Sequence, residues 1–172
     1  MTEKKTAKSW IFAILSVIGL VAFDQYTKLL AITKLKDQSA FVILDGIFEL
    51  QYLENRGAAF GMLQNQRAFF IIITCVMMFV IMYFYHHTPK SKKYLPLDLC
   101  MIFIAAGAIG NFIDRLFRGF VVDFFYFSLI NFPIFNVADI YVTVTFFVLV
   151  LLIFFYYKDE DFEVYSVKPF KK

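Results

Sequence analysis

The residues of this chain best suited to acid–base chemistry are aspartates set among apolar neighbours. Asp24, Asp114, Asp123 and Asp139 come from distant parts of the sequence, yet each falls towards the same end of an apolar run or in a loop joining two such runs. An aspartate at the centre of a membrane helix costs about 2.5–3.5 kcal/mol on the insertion scale, so a chain that keeps several has a use for them. Asp123 lies in Val121-Val122-Asp123-Phe124-Phe125, a β-branched and aromatic stretch that predicts extended backbone. Asp139 closes Phe135-Asn136-Val137-Ala138-Asp139, at the entry to the last apolar run. Two carboxylates sharing one site cannot both ionise easily, so one keeps a proton. The charged member can then take a proton from water while the neutral one polarises a carbonyl, which is peptide hydrolysis without a covalent intermediate. Spacing alone leaves a blander alternative, with Asp139 a helix N-terminal charge favoured by the dipole.

The remaining polar residues carry double readings too. Asp24 and Lys28 share a helix face, acid first, which favours an ion pair. The pair is expected to be structural, its lysine snorkelling to the outer interface, with a direct catalytic role as the alternative. Asp114 and Arg115 form either a helix-end charge cluster or a substrate clamp, since the guanidinium fork can hold a carboxylate or a carbonyl. Gly107 and Gly110 precede them at helical spacing and let another helix approach closely, and Asn111 falls one turn before Arg115. In Asn55-Arg56-Gly57-Ala58-Ala59-Phe60-Gly61, Asn55 offers a donor and an acceptor to a peptide backbone, and the small residues around Gly57 allow close approach. The bland version of that segment is a turn leading into a short helix. The only histidines, His86 and His87, are adjacent and belong to the other membrane side, so neither an H-E-x-x-H zinc site nor a Ser-His triad has its residues here. Cys75 and Cys100 lack a C-x-x-C spacing and are expected simply to pack.

These side chains must be positioned by membrane helices. Of the 172 residues, 60% are hydrophobic and 18% charged, with 24 phenylalanines. A soluble chain of this size cannot hide that much apolar surface, but a bilayer can. The net charge of +3 does not indicate nucleic-acid binding. Four spans are predicted, at about 10–32, 68–85, 95–113 and 138–157, within one membrane-embedded domain covering 1–172. Lys4, Lys5 and Lys8 precede the first run as in a secretory signal, but no small-residue cleavage site follows, so an uncleaved first helix is expected. Lysines crowd the N-terminal segment, the Thr88–Tyr94 linker (Lys90, Lys92, Lys93) and the tail (Lys158, Lys168, Lys171, Lys172). That density places both termini in the cytoplasm. The first outer loop reads as a β-hairpin over 41–54, turning at Asp45-Gly46 with the positive φ angles of a tight primed turn. The fold class is thus mainly α, with four transmembrane helices and a small β element on the outer face.

The residues alone leave three functions open. A small proton-coupled transporter would use intramembrane acids, though transporters usually hold charges at the midplane of a repeat-built fold. A non-catalytic assembly subunit explains the hydrophobicity but not four convergent carboxylates. A peptidase explains both.

Four segments in order carry a resemblance: Asp24-Gln25-Tyr26-Thr27-Lys28; Asn55 to Gly61; Gly107 to Arg115 with Val121-Val122-Asp123-Phe124; and Phe135-Asn136-Val137-Ala138-Asp139. Together they resemble the signatures of lipoprotein signal peptidase (signal peptidase II), an aspartic peptidase family of bacterial membranes. The resemblance implies a catalytic dyad of Asp123 and Asp139. It implies that Asn55, Gly57, Asn111, Arg115 and Asn136 bind the substrate backbone, with Asp24, Lys28 and Asp114 supporting the site. The implied substrate is a prolipoprotein whose cysteine already carries diacylglycerol, cut just before that cysteine. No metal or cofactor is implied; the other partner is membrane lipid, and the chain is expected to be a monomer. The implied setting is a bacterial cytoplasmic membrane, crossed several times, with the active site near the outer face.

Overall fold

A computed structural model of the chain describes residues 5–57 and 62–165. Ala58–Gly61 of the second motif, and Lys4, Lys168, Lys171 and Lys172 of the charge pattern, lie outside the described residues. Among the described residues, four helices are long and apolar enough to cross a membrane: Ala7–Leu35 (α1), Arg67–His87 (α2), Lys92–Phe117 and Val137–Tyr156. The third starts as a short 3-10 turn and becomes α3 at Leu95–Phe117, with proline in its first turn, where a missing N–H costs nothing. The fourth is α4, Val137–Leu151, ending in a π turn over Leu152–Tyr156.

Helix α3 is the centre of the bundle. Of its apolar window 44% is buried, against 11–17% for the other three, so α1, α2 and α4 pack around it and turn their outer faces to lipid. Those faces carry side chains such as Phe79 (71% exposed) and Phe155 (84%), which in water would make an aggregating surface. Hydrophobic burial gives apolar helices no net drive to associate inside a bilayer, so close packing must hold them. Gly107 shows how: a Cβ there would sit 2.5 Å from the Ala138 carbonyl oxygen and 2.7 Å from Val142. Its absence lets α3 touch the first turn of α4. Cys100 is packed on α3, whereas Cys75 sits exposed on α2, contrary to the expectation that both pack, because that face of α2 meets no other helix.

The β element is larger than the predicted hairpin. Strands β1 (Phe41–Leu44), β2 (Phe48–Asn55) and β3 (Val121–Tyr126) form an antiparallel sheet in that order. The turn differs from the primed one: only Gly46 has positive φ (+64°), and Ile47 N–H donates to Leu44 O at 3.0 Å. That sign pattern is of type II, which needs one permissive residue rather than two. Strand β3 is the strand that matters for the site. Val122 and Phe124 pack with Ala31 of α1 and Val137 of α4, so β3 is sewn to the helices.

At the opposite membrane end the chain closes on itself. Lys5 pairs with Asp98, and Tyr85 donates its hydroxyl to Ser9 O at 2.9 Å. The tail folds into a short helix, α5 (Asp159–Phe162), whose Asp161 pairs with Lys93 while its carbonyl accepts from Tyr94 OH at 2.9 Å. Tyr165 shares a 2.6 Å hydrogen bond with Thr88.

Candidate active site

The local sequence explains why Asp123 and Asp139 meet. Register pairs Asn55 with Val121 and Leu53 with Asp123, after an irregularity between Leu50 and Leu53 that gives β2 an extra residue. Asn55 and Asp123 therefore become diagonal neighbours on one sheet face, within reach across the strands. Asn55 Nδ2 donates to Asp123 Oδ2 at 2.8 Å, and Asn55 Oδ1 accepts the Gly57 N–H at 2.9 Å, fixing the chain as it leaves the sheet.

Asp139 arrives through a helix cap. Asn136 is the N-cap of α4, and its Oδ1 accepts the Asp139 N–H at 3.1 Å. Asp139 Oδ2 accepts the Asn136 N–H at 3.1 Å in return, completing a capping box. The blander reading of Asp139, as an acid at a helix N-terminus, is what this cap shows. Its other oxygen, Oδ1, accepts from Asn111 Nδ2 at 2.8 Å. Asn136 then reaches across to the other acid, its Nδ2 donating to Asp123 Oδ1 at 2.6 Å and to Asn111 Oδ1 at 3.2 Å.

Both carboxylates line one cleft of about 440 Å³, with Asn55, Gly57, Asn111, Arg115 and the Phe132–Phe135 loop around them. Asp123 is 1% exposed, whereas Asp139 keeps partial access to the cleft. Burial, followed by the neighbouring Asp139 charge, pushes Asp123 up to about 7, against the pull of its two asparagine donors. Arg115 stacks its guanidinium 4.4 Å from the Phe70 ring centre and donates to Gly57 O at 3.1 Å. It thus holds the segment leaving β2 against the cleft wall.

Behind the cleft lies a charge cluster. Lys28 Nζ is 3.0 Å from Asp24 Oδ2, 3.0 Å from Asp114 Oδ2 and 2.9 Å from Asn111 Oδ1. An ammonium has three protons, so its donors are all used. Lys28, Asp24 and Asp114 are each 0% exposed. The expected snorkelling lysine is corrected here: Lys28 points inward, because acceptors on α3 satisfy its charge better than the distant interface. Asp24 Oδ1 accepts the Ala138 N–H at 3.0 Å, and Asp114 Oδ2 accepts the Val122 N–H at 3.1 Å. One acid therefore fixes the residue before Asp139, and the other fixes the residue before Asp123. Gly110 makes room for this, since a Cβ there would lie 2.5 Å from Asp24 Oδ2.

All ten residues singled out in the sequence fall in or against this region. Two more were not assigned a role. Gln25 donates to Asp24 at 3.1 Å, to Gly110 O at 3.1 Å and to Asp114 at 3.3 Å, while Arg118 pairs with Asp114 and donates to Gln25 Oε1. The signal for Gln25 was its place between Asp24 and Lys28. Arg118 lies one turn past Asp114, the helical spacing of an ion pair.

Comparison with known proteins adds to the geometry. Residues 8–155 match the family described as signal peptidase (SPase) II. Proteins named lipoprotein signal peptidase from Streptococcus thermophilus (strain CNRZ 1066) and Brevibacillus brevis are each 42% identical, over 149 and 145 residues. These alignments cover 87% and 84% of this chain, and 92% and 95% of the relatives. A solved bacterial membrane enzyme, determined by the in meso method at 2.3 Å, aligns over 100% of this chain and 98% of its own, with TM-score 0.75 and 30% identity. A second, at 1.9 Å, covers 90% of this chain and 98% of its own, with TM-score 0.73 and 31% identity. Four apolar helices around a small sheet, and a sequence match running from the first helix to the last, lead to one conclusion: this multi-pass membrane chain belongs to the signal peptidase II family, and is a peptidase.

Proposed function

We propose that the chain is an aspartic endopeptidase that removes the leader from diacylglyceryl-modified prolipoproteins, cutting just before the modified cysteine. The observation that supports this most is the joint hold of Asn136 on both acids, at 2.6 Å to Asp123 and 3.1 Å to Asp139, beside an open cleft. Asp123, the more deeply buried acid, carries the shared proton and donates it to the scissile carbonyl oxygen. Asp139, open to the cleft, takes a proton from water as the water oxygen bonds to the carbonyl carbon. The tetrahedral diol collapses when Asp139 returns its proton to the amide nitrogen. The carbon–nitrogen bond breaks, and a proton from the diol hydroxyl restores Asp123. Asn55, Gly57, Asn111, Arg115 and Asn136 hold the substrate backbone and the acids; Asp24, Lys28 and Asp114 keep strand β3 and the first turn of α4 in place.

The lysine-rich segments support a reading with both termini in the cytoplasm of a bacterium and the cleft near the outer membrane face. Labelling of cysteines introduced at Asp37 and Ser91 tests this, with Asp37 expected to react from outside and Ser91 to be protected. The activity is tested by a gel-shift assay in detergent on a diacylglyceryl-modified prolipoprotein. Wild type should yield the mature size, and Asp123→Asn and Asp139→Asn should not. Cleavage surviving both substitutions would remove the dyad.

A further inference from the structure

Among the described residues, two apolar grooves between helices bear on the substrate. One, of about 320 Å³, lies where α1, α2 and α3 diverge, lined by residues such as Ile14 and Met82, and shares no lining residue with the cleft. The other, of about 360 Å³, runs between α3 and α4 and adjoins the cleft at Ile140 and Val144, which line both. Its floor is buried Cys100 and Thr145, its exposed lips are Leu99 and Val148, and Val144 stands where it adjoins the cleft. It ends at Pro96, in the first turn of α3 at the opposite membrane end.

We propose that the α3–α4 groove seats the apolar stretch of the leader during cleavage; this rests on the peptidase reading above. Length chooses the occupant. From Asn111 at the cleft back to Pro96, α3 covers roughly 22 Å at 1.5 Å per residue. The acyl chains of a lipid-modified cysteine enter from one leaflet and reach the bilayer centre, roughly 15 Å away. A leader's apolar stretch of about 7–15 residues, wound as a helix, spans roughly 10–22 Å. Its far end must also lie across the membrane from the scissile bond, which is where the groove leads. Small floor residues between bulkier lips suit a helix lying lengthwise.

The test places a photo-crosslinking amino acid at single positions of the full chain carrying Asp139→Asn, which holds uncut diacylglyceryl-modified prolipoprotein, followed by mass mapping of adducts. Leu99 and Val148 should give adducts on the leader's apolar stretch, and Ile14 and Met82 should give none. Adducts at Leu99 and Val148 on acyl chains alone, or leader adducts at Ile14 and Met82 instead, overturn the proposal. Ile134, in the cleft, separates two kinds of failure. If it captures substrate while the groove positions stay silent, the groove is wrong and the cleft stands; if it too is silent, the peptidase reading fails and takes the groove with it. Leu99→Trp in the otherwise wild-type enzyme should raise KM at least about fivefold with kcat little changed, as loss of uniform binding does. An unchanged KM counts against the groove.

Discussion

Asn136 Nδ2 lies 2.6 Å from Asp123 Oδ1, although Asn136 belongs to the start of α4 and Asp123 to strand β3. The same residue caps α4 and donates its backbone N–H to Asp139. A single residue therefore ties the two acids together, through its side chain and its backbone, and starts the helix that carries one of them. Asn136→Ala should lower activity roughly 10²- to 10³-fold by loosening groups that must be preorganised, and stability by about 1 kcal/mol for the lost cap. Asn136→Ser separates the two effects. It keeps a capping oxygen but loses the reach to Asp123, so melting temperature should return towards wild type while activity stays low. Recovery of both together would show that the cap alone matters.

The single proton proposed for the dyad predicts how cleavage responds to pH. Activity should rise as the first of the two protons leaves and fall as the second leaves, and Asp123, pushed up to about 7, sets the falling limb. Initial rates at saturating substrate between pH 4 and 9 check this. A profile flat through neutrality contradicts the assignment.

Stability should carry the same signature with opposite consequence for the fold. Asp123 ordinarily ionises near 3.8 and in the native site near 7, so between these values the folded state binds more protons than the unfolded one. Its contribution to stability is then fully present below the lower value and declines as pH rises to the upper one. Asp123→Asn removes the slope. Its melting temperature relative to wild type should climb from about pH 4 to 7 and level off above, and a pH-independent difference would refute the burial argument.

Lys28→Met tests the buried cluster. It leaves Asp24 and Asp114 without their shared cation, a loss of roughly 3–5 kcal/mol by analogy with other broken buried pairs. Thermal unfolding in detergent should show a large drop, and an unchanged midpoint would mean the cluster is not coupled.

Two glycines make a controlled comparison. Gly19 has nothing within 4 Å of a built Cβ, so Gly19→Ala should be neutral or stabilise α1 by up to about 1 kcal/mol. Gly110→Ala drives a methyl into Asp24 and should cost activity and stability together. Equal behaviour of the two variants would show that α3 can move away from α1.

What could be read in advance follows from which interactions are local. Apolar runs announce their helices because a bilayer tolerates little else, and the carboxylates stand out because they are expensive there. The order of the four signature segments gathers nine polar residues and Gly57 by resemblance alone. The fate of Lys28 was not readable, since snorkelling or burial is decided by Asn111 and Asp114, which lie on another helix. The pairing of β2 with β3 escaped for the same reason, its strands being separated by two helices. The turn type at Asp45-Gly46 went wrong because the dipeptide suits both a primed and a type II turn, and strand register chose. The folded tail left no periodic or motif signal, as its order depends on Lys93, Tyr94 and Thr88 beneath it.

The hydrogen bond from Ala138 N–H to Asp24 joins residues 114 positions apart, the first helix to the first turn of the last. A ribosome makes Asp24 early and Ala138 late. Throughout most of synthesis Asp24 and Lys28 sit in the membrane without the partners that orient the acids, and Asp139 does not yet exist. On the proposed dyad, no partial chain holds a working site. Cleavage begins only when the fourth helix has inserted and docked, so a newborn protease cannot cut its neighbours before it is whole.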